Sequence, residues 1–145
     1  MKHSALPGAK EEIGRMYERI VKERAKNSGH FKTGRGGLIS IEFVVQYLQM
    51  KEKIREPNTL QAIVRLGGVL NPDEAEILAE SYRFLRRIES ILRRMNNTAI
   101  SELPSRKKDL HALTVRSGFE KVPDFLNEYE TKKGAAERVV RKYLM

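Results

Sequence analysis

A chain of 145 residues is long enough for one domain with a proper core and too short for two ordinary ones. It has no cysteine, which removes disulfides, thiolate nucleophiles and thiolate metal sites, and no apolar run approaches the roughly eighteen residues of a membrane span. The net charge of +9 sits at the two ends: residues 1–37 carry nine Lys/Arg against four Glu, residues 38–104 balance at nine each, and residues 105–145 carry ten against six. Such a surface is either simply solvated or attracts nucleic acid, nucleotide phosphate or an acidic protein.

The start Met1-Lys2-His3-Ser4-Ala5-Leu6-Pro7-Gly8 lacks the apolar core of a secretory signal, so a cytoplasmic protein is expected. From Ala9 to Lys26, Ile13, Met16, Tyr17, Ile20 and Val21 recur at three- and four-residue steps, which predicts an amphipathic helix entering the domain over residues 1–27. Asn27-Ser28-Gly29 ends it, and a glycine-rich basic loop fills residues 28–37. The remainder, 38–145, reads as a helical bundle. Leu38, Ile41, Val44, Val45 and Leu48 mark a more apolar, more buried helix to about Lys53. Pro57-Asn58 starts a short helix carrying Leu60, Ile63, Val64 and Leu66, closed by Gly67-Gly68.

Asn71-Pro72-Asp73-Glu74 is the cleanest helix start, with an N-cap side chain, proline at N1 and two acids opposing the macrodipole. That helix should reach Asn96. Its apolar stripe is Ile77, Leu78, Tyr82, Leu85, Ile88, Leu92 and Met95, and its opposite face reads Glu76, Glu80, Arg83, Arg87, Arg94. Acids early and bases late suit an isolated surface helix, although a basic face repeating at seven residues could also receive a polyanion. After Leu103-Pro104, Ser105 is the expected N-cap of a helix through Leu110, Leu113 and Val115. The last helix starts near Pro123, with a break foreseen near Lys133-Gly134 because glycine costs up to about 1 kcal/mol there. No strand is predicted, so the fold class is all-α, a bundle of five to six helices.

The stretch from His30 to Phe43 stands out chemically. It joins Lys32, Gly34, Arg35, Gly36 and Gly37 directly to a helix start, and unpaired N–H groups beside cations and glycines are the raw material of an anion site. Glu42 is its one carboxylate, read as a contact to Lys32, Arg35 or a substrate group, or as a first-turn acid that steadies the helix. No catalytic residue and no metal ligand is assigned. His3, His30 and His111 lie far apart and lack a second ligand at helical spacing.

Lys32-x-Gly34-x-Gly36-Gly37-x-x-x-Ile41-Glu42-Phe43 resembles the signature that follows the nucleotidyltransferase core in bacterial glutamine synthetase adenylyltransferases. Val44-Val45-Gln46-Tyr47-Leu48-Gln49, Ser81-Tyr82-Arg83-Phe84-Leu85-Arg86-Arg87-Ile88-Glu89, Glu102-Leu103-Pro104 and Glu11-Glu12-Ile13-x-x-Met16-x-x-x-Ile20 are similar to segments around that signature. Where family members commonly carry Asp or Glu, this chain has Ser40, expected to serve as a local cap or solvent contact. The family's core opens with Gly-Ser and carries an Asp-x-Asp pair for magnesium, and neither occurs here.

The resemblance implies a helical accessory domain, inactive alone, of an enzyme that adenylylates and deadenylylates glutamine synthetase in nitrogen regulation. It implies ATP and magnesium as cofactors of the whole enzyme, a nucleotidyltransferase core in cis, and glutamine synthetase and a PII signalling protein as partners. Lys32, Gly34, Arg35, Gly36, Gly37 and Glu42 would then face nucleotide or target. Both of the family's cores are followed by helical domains, so the half served is open; the chain's end soon after its last helix suits the transferase half. Two alternatives stand beside this: a structural or protein-docking helical module without nucleotide contact, and a basic nucleic-acid-binding domain. The second alternative is opposed by the absence of tryptophan and by scarce aromatics.

Overall fold

Six helices and no sheet make up the described residues, 9–24, 29–98 and 100–145, of the computed structural model of this protein. They are α1 (Ala9–Arg24), α2 (Leu38–Glu52), α3 (Thr59–Arg65), α4 (Pro72–Asn96), α5 (Lys107–Arg116) and α6 (Val122–Leu144). The all-α expectation is met. The only extended pairing among the described residues is an isolated antiparallel bridge between His30 and Glu102. No helix there is long and apolar enough to cross a membrane.

The long helices start and stop where local chemistry directs. Asn71 accepts the Glu74 N–H at 2.8 Å while the Glu74 carboxylate accepts the Asn71 N–H at 3.0 Å, a complete capping box with Pro72 behind it. At the far end Asn97 turns into the left-handed region, φ 55°, and stops α4. Asn58 caps α3 through the Gln61 N–H at 2.9 Å. The expected Ser105 cap is not used: α5 begins at Lys107 with Arg106 as N-cap and no side-chain cap bond. Nor does α6 break at Gly134. Its neighbours Lys133 and Ala136 are buried against the rest of the bundle, and that packing outweighs one glycine's propensity cost.

Two helices form the spine. α6 packs on α1, α2, α4 and α5, while α4 also packs on α2, α3 and α5. Leu78, Leu85, Ile88 and Leu92 of α4 meet Phe125, Tyr129, Ala136 and Val140 of α6, and Ile41, Val44 and Leu48 of α2 close the core. Phe125 anchors an aromatic cluster, its ring centre 5.8 Å from Phe119 and 6.1 Å from Phe84. α2 buries residues around most of its circumference, as its apolar sequence implies. Three of the apolar positions read from the sequence are exposed, Val64 at 71%, Val115 at 52% and Met16 at 43%; for Val64 the reason is that α3 has two turns and spends its one inner face on Ala62 and Ile63. The side chains of Ile20 and Val21, and the expected helix end at Lys26 to Ser28, lie outside what the structure describes.

Candidate functional site

The glycine-rich loop is closed by its own backbone. Gly34 N–H donates to the His30 carbonyl at 2.8 Å and Gly37 N–H to the Gly34 carbonyl at 2.9 Å. The first two amides of α2 turn back on the same loop, Leu38 donating to Phe31 at 2.9 Å and Ile39 to Lys32 at 2.8 Å. A helix start offers anions its unpaired N–H groups, and here carbonyls of the loop take two of them. Phe31, wholly buried, is the apolar plug that seats the loop in the core.

Three loop glycines are needed for close approach, Gly37 among them, where a Cβ would lie 2.5 Å from the Phe31 carbonyl oxygen. Gly36 has φ 73°, and a Cβ there would lie 2.0 Å from the Lys133 carbonyl oxygen of α6. A Cβ on Gly34 would lie 2.4 Å from the His30 carbonyl oxygen and 3.2 Å from the Lys133 ammonium nitrogen. Lys133 thus meets the loop with both its backbone and its side chain. Burial is the main influence on that ammonium and lowers its pKa, with Glu130 and Glu137 pulling the other way.

The loop's cations are paired with carboxylates. Lys32 Nζ lies 3.0 Å from Glu89, a buried acid of α4 that also takes Arg86 at 2.8 Å. Arg35 makes two bonds to Glu18 of α1, at 2.8 and 3.1 Å, and a longer one to Glu137 of α6 at 3.4 Å. Arg141 adds a bond to Glu18 at 2.9 Å. The Arg35 hydrogen bonds, outweighing burial and joined by Arg141, hold the Glu18 carboxyl below its usual range. Tyr17 donates to Glu137, and the Ser40 hydroxyl donates to Tyr17 at 2.9 Å with the Gly34 carbonyl 3.2 Å away. Burial first, then Glu137, pushes the Tyr17 phenol far above its ordinary value. Ser40 is 1% exposed, so it is a buried link between α1 and the loop and not a solvent contact.

Glu42 does not join this network. As the fifth residue of α2 it lies past the first turn, and its Oε2 accepts the Tyr82 hydroxyl of α4 at 2.8 Å. It therefore contacts neither Lys32 nor Arg35 and is not a first-turn acid. Its side chain lines a separate cleft of about 460 Å³ between α2, α3 and α4, with Gln46, Asn58, Thr59, Arg83 and Arg86. Lys32, Gly34, Arg35, Gly36 and Gly37 are brought together as expected; Glu42 is not.

Sequence reasoning passed over Phe31, Glu89, Glu137 and Lys133. A signal existed for two of them. Glu89 falls at the spacing of Leu85 and Leu92, and Lys133 at that of Tyr129 and Val140, so each charge sits on an apolar stripe and needs a partner. Among the described residues no group of three or more His, Asp or Glu converges to hold a metal ion.

The six helices and the loop folded shut among them define an all-α helical-bundle domain. The chain belongs to the family whose model is described as GlnD PII-uridylyltransferase, which matches residues 10–144. It is 31% identical over 122 residues to the bifunctional glutamine synthetase adenylyltransferase/adenylyl-removing enzyme of Aromatoleum aromaticum, covering 79% of this chain and 13% of that protein. The enzyme of that name from Mycobacterium avium is 30% identical over 149 residues, covering 94% of this chain and 15% of its own length. The one from Xanthomonas campestris pv. campestris is 32% identical over 126 residues, 80% of this chain and 13% of its own. The chain therefore spans 13–15% of the length of these relatives.

Proposed function

We propose that this chain is the helical accessory domain of an enzyme that attaches adenylyl groups to glutamine synthetase and removes them. The observation that carries this reading is similarity running through 94% of the chain to 15% of an enzyme named for both reactions. In this reading ATP and magnesium belong to a nucleotidyltransferase core in cis, glutamine synthetase is the protein substrate, and a PII protein is the regulatory partner, all in the cytoplasm. The domain contributes shape and contact surface. The test deletes the corresponding segment from a relative's full-length enzyme and adds this chain in trans, following transfer of labelled AMP from ATP to glutamine synthetase. Recovery of transfer is expected. A chain that neither restores transfer nor co-purifies with the truncated enzyme would sink the proposal.

Within that domain the loop acts as a clamp. Its amides are spent on its own carbonyls and its glycines and cations on α1, α4 and α6, which supports a bracing role over direct handling of nucleotide. A second reading, nucleotide contact by Lys32, Gly34, Arg35, Gly36 and Gly37, is favoured by one observation: the Lys32 and Arg35 side chains stay 31% and 42% exposed. Calorimetric titration of the chain with ATP, repeated on Lys32→Ala/Arg35→Ala, separates the two. The clamp predicts no ATP binding by either protein and a lower melting temperature for the variant.

A further inference from the structure

We propose that the outer face of α4 from Arg83 to Arg94 is a docking surface for an acidic segment of a protein partner. Arg83, Arg87 and Arg94 are exposed along one side of the helix, with Arg93 beside them, over about 16 Å of helix length. None of the four has a carboxylate within ion-pair distance among the described residues. Among the described residues their only bonds are from Arg87 to the Arg116 carbonyl at 3.4 Å and from Arg94 to the Ser90 hydroxyl at 2.9 Å. Elsewhere in the molecule Lys32, Arg35, Lys132, Arg141 and Lys142 each meet an acid.

Intrahelical electrostatics do not account for this face. Favourable interaction with the macrodipole is confined to the last turn, which holds Arg93 and Arg94. Arg83 and Arg87 lie further up and repel one another at i,i+4 spacing. The nearby acids are engaged elsewhere: Glu80 faces Lys132, buried Glu89 is shared by Lys32 and Arg86, and Glu42, in the cleft beside Arg83, accepts the Tyr82 hydroxyl. An external anion completes the arrangement.

Shape and sign favour protein over nucleic acid. The positive stretch is short, and at Glu80 and Glu76 the same line of the helix turns negative. A duplex presents phosphates without interruption and would meet those acids. An acidic protein segment can end where the arginines end. Guanidinium forks match carboxylates two bonds at a time, and all four cations are arginine. This inference stands apart from the enzymatic reading and survives its failure.

The test measures fluorescence anisotropy of labelled poly-L-glutamate with the 145-residue chain at low salt. Arg83→Gln/Arg87→Gln/Arg94→Gln should weaken binding about tenfold or more, whereas the equally charged Lys22→Gln/Lys51→Gln/Lys121→Gln should change it less than about twofold. Circular dichroism checks that both variants stay folded. Equal losses in the two variants would reduce the effect to net charge and overturn the proposal, as would absence of binding or tighter binding to a random-sequence DNA duplex.

Discussion

Two cationic regions of this molecule have opposite electrostatic lives. Around the glycine-rich loop, Lys32 and Arg35 are matched by Glu89, Glu18 and Glu137, acids drawn from three different helices. On the outer face of α4, Arg83, Arg87, Arg93 and Arg94 have no such partners among the described residues. Similar residues thus become a brace in one place and an unsatisfied surface in the other. What decides is the set of carboxylates that the fold delivers to each cation, and composition does not report that.

If the loop is a brace, damage there should cost far more than damage to the arginine face. The largest effect is expected from Phe31→Ala, about 3–5 kcal/mol in urea unfolding, since a wholly buried ring leaves a cavity under the loop. Gly36→Ala should follow at about 2–4 kcal/mol, combining a left-handed backbone with a collision against the Lys133 carbonyl. A cost below about 0.5 kcal/mol would mean the loop is not seated on α6.

Arg35→Ala should cost about 1 kcal/mol, a modest figure because that side chain is partly exposed and screened. It also carries a pH signature. Glu18 is held below its usual value of 4.5, so its contribution is intact above that pH and is lost as pH falls through the lower folded pKa. Unfolding midpoints measured downward from pH 6 should therefore fall less steeply in Arg35→Ala than in the parent chain. Identical slopes would remove Arg35 as the cause. Smallest of all, Arg83→Gln should move stability by less than about 0.5 kcal/mol, toward gain if anything, because it relieves the repulsion with Arg87. A loss equal to that of Arg35→Ala would erase the contrast between the two regions.

The fold was legible because its signals are local. Apolar periodicity found every helix, and Asn58 and Asn71 placed two starts to the residue. The misses were decided by tertiary context: Ser105 yielded its cap to Arg106, Gly134 was carried through by packing on both sides, and Val64 faced outward on a helix too short to bury two faces. The loop's residues were found together, yet their commitments were not readable, because Glu18, Glu89 and Glu137 come from three helices whose packing decides which cation each one meets. Glu42 misled for the same reason. Its neighbour in sequence is the loop, but its neighbour in space is Tyr82.

The bonds that tie α1 to α6 have a kinetic meaning. Tyr17 to Glu137 and Glu18 to Arg141 span separations of 120 and 123 residues, so the first helix finds its main partner only when the last one exists. At about 5–20 residues per second, a ribosome leaves Tyr17 without Glu137 for on the order of ten seconds. Closure of so long a loop is also entropically slow to nucleate. α1 can meet the loop and α2 early, through Arg35, Ser40 and Phe43, but its seat is completed only by α6.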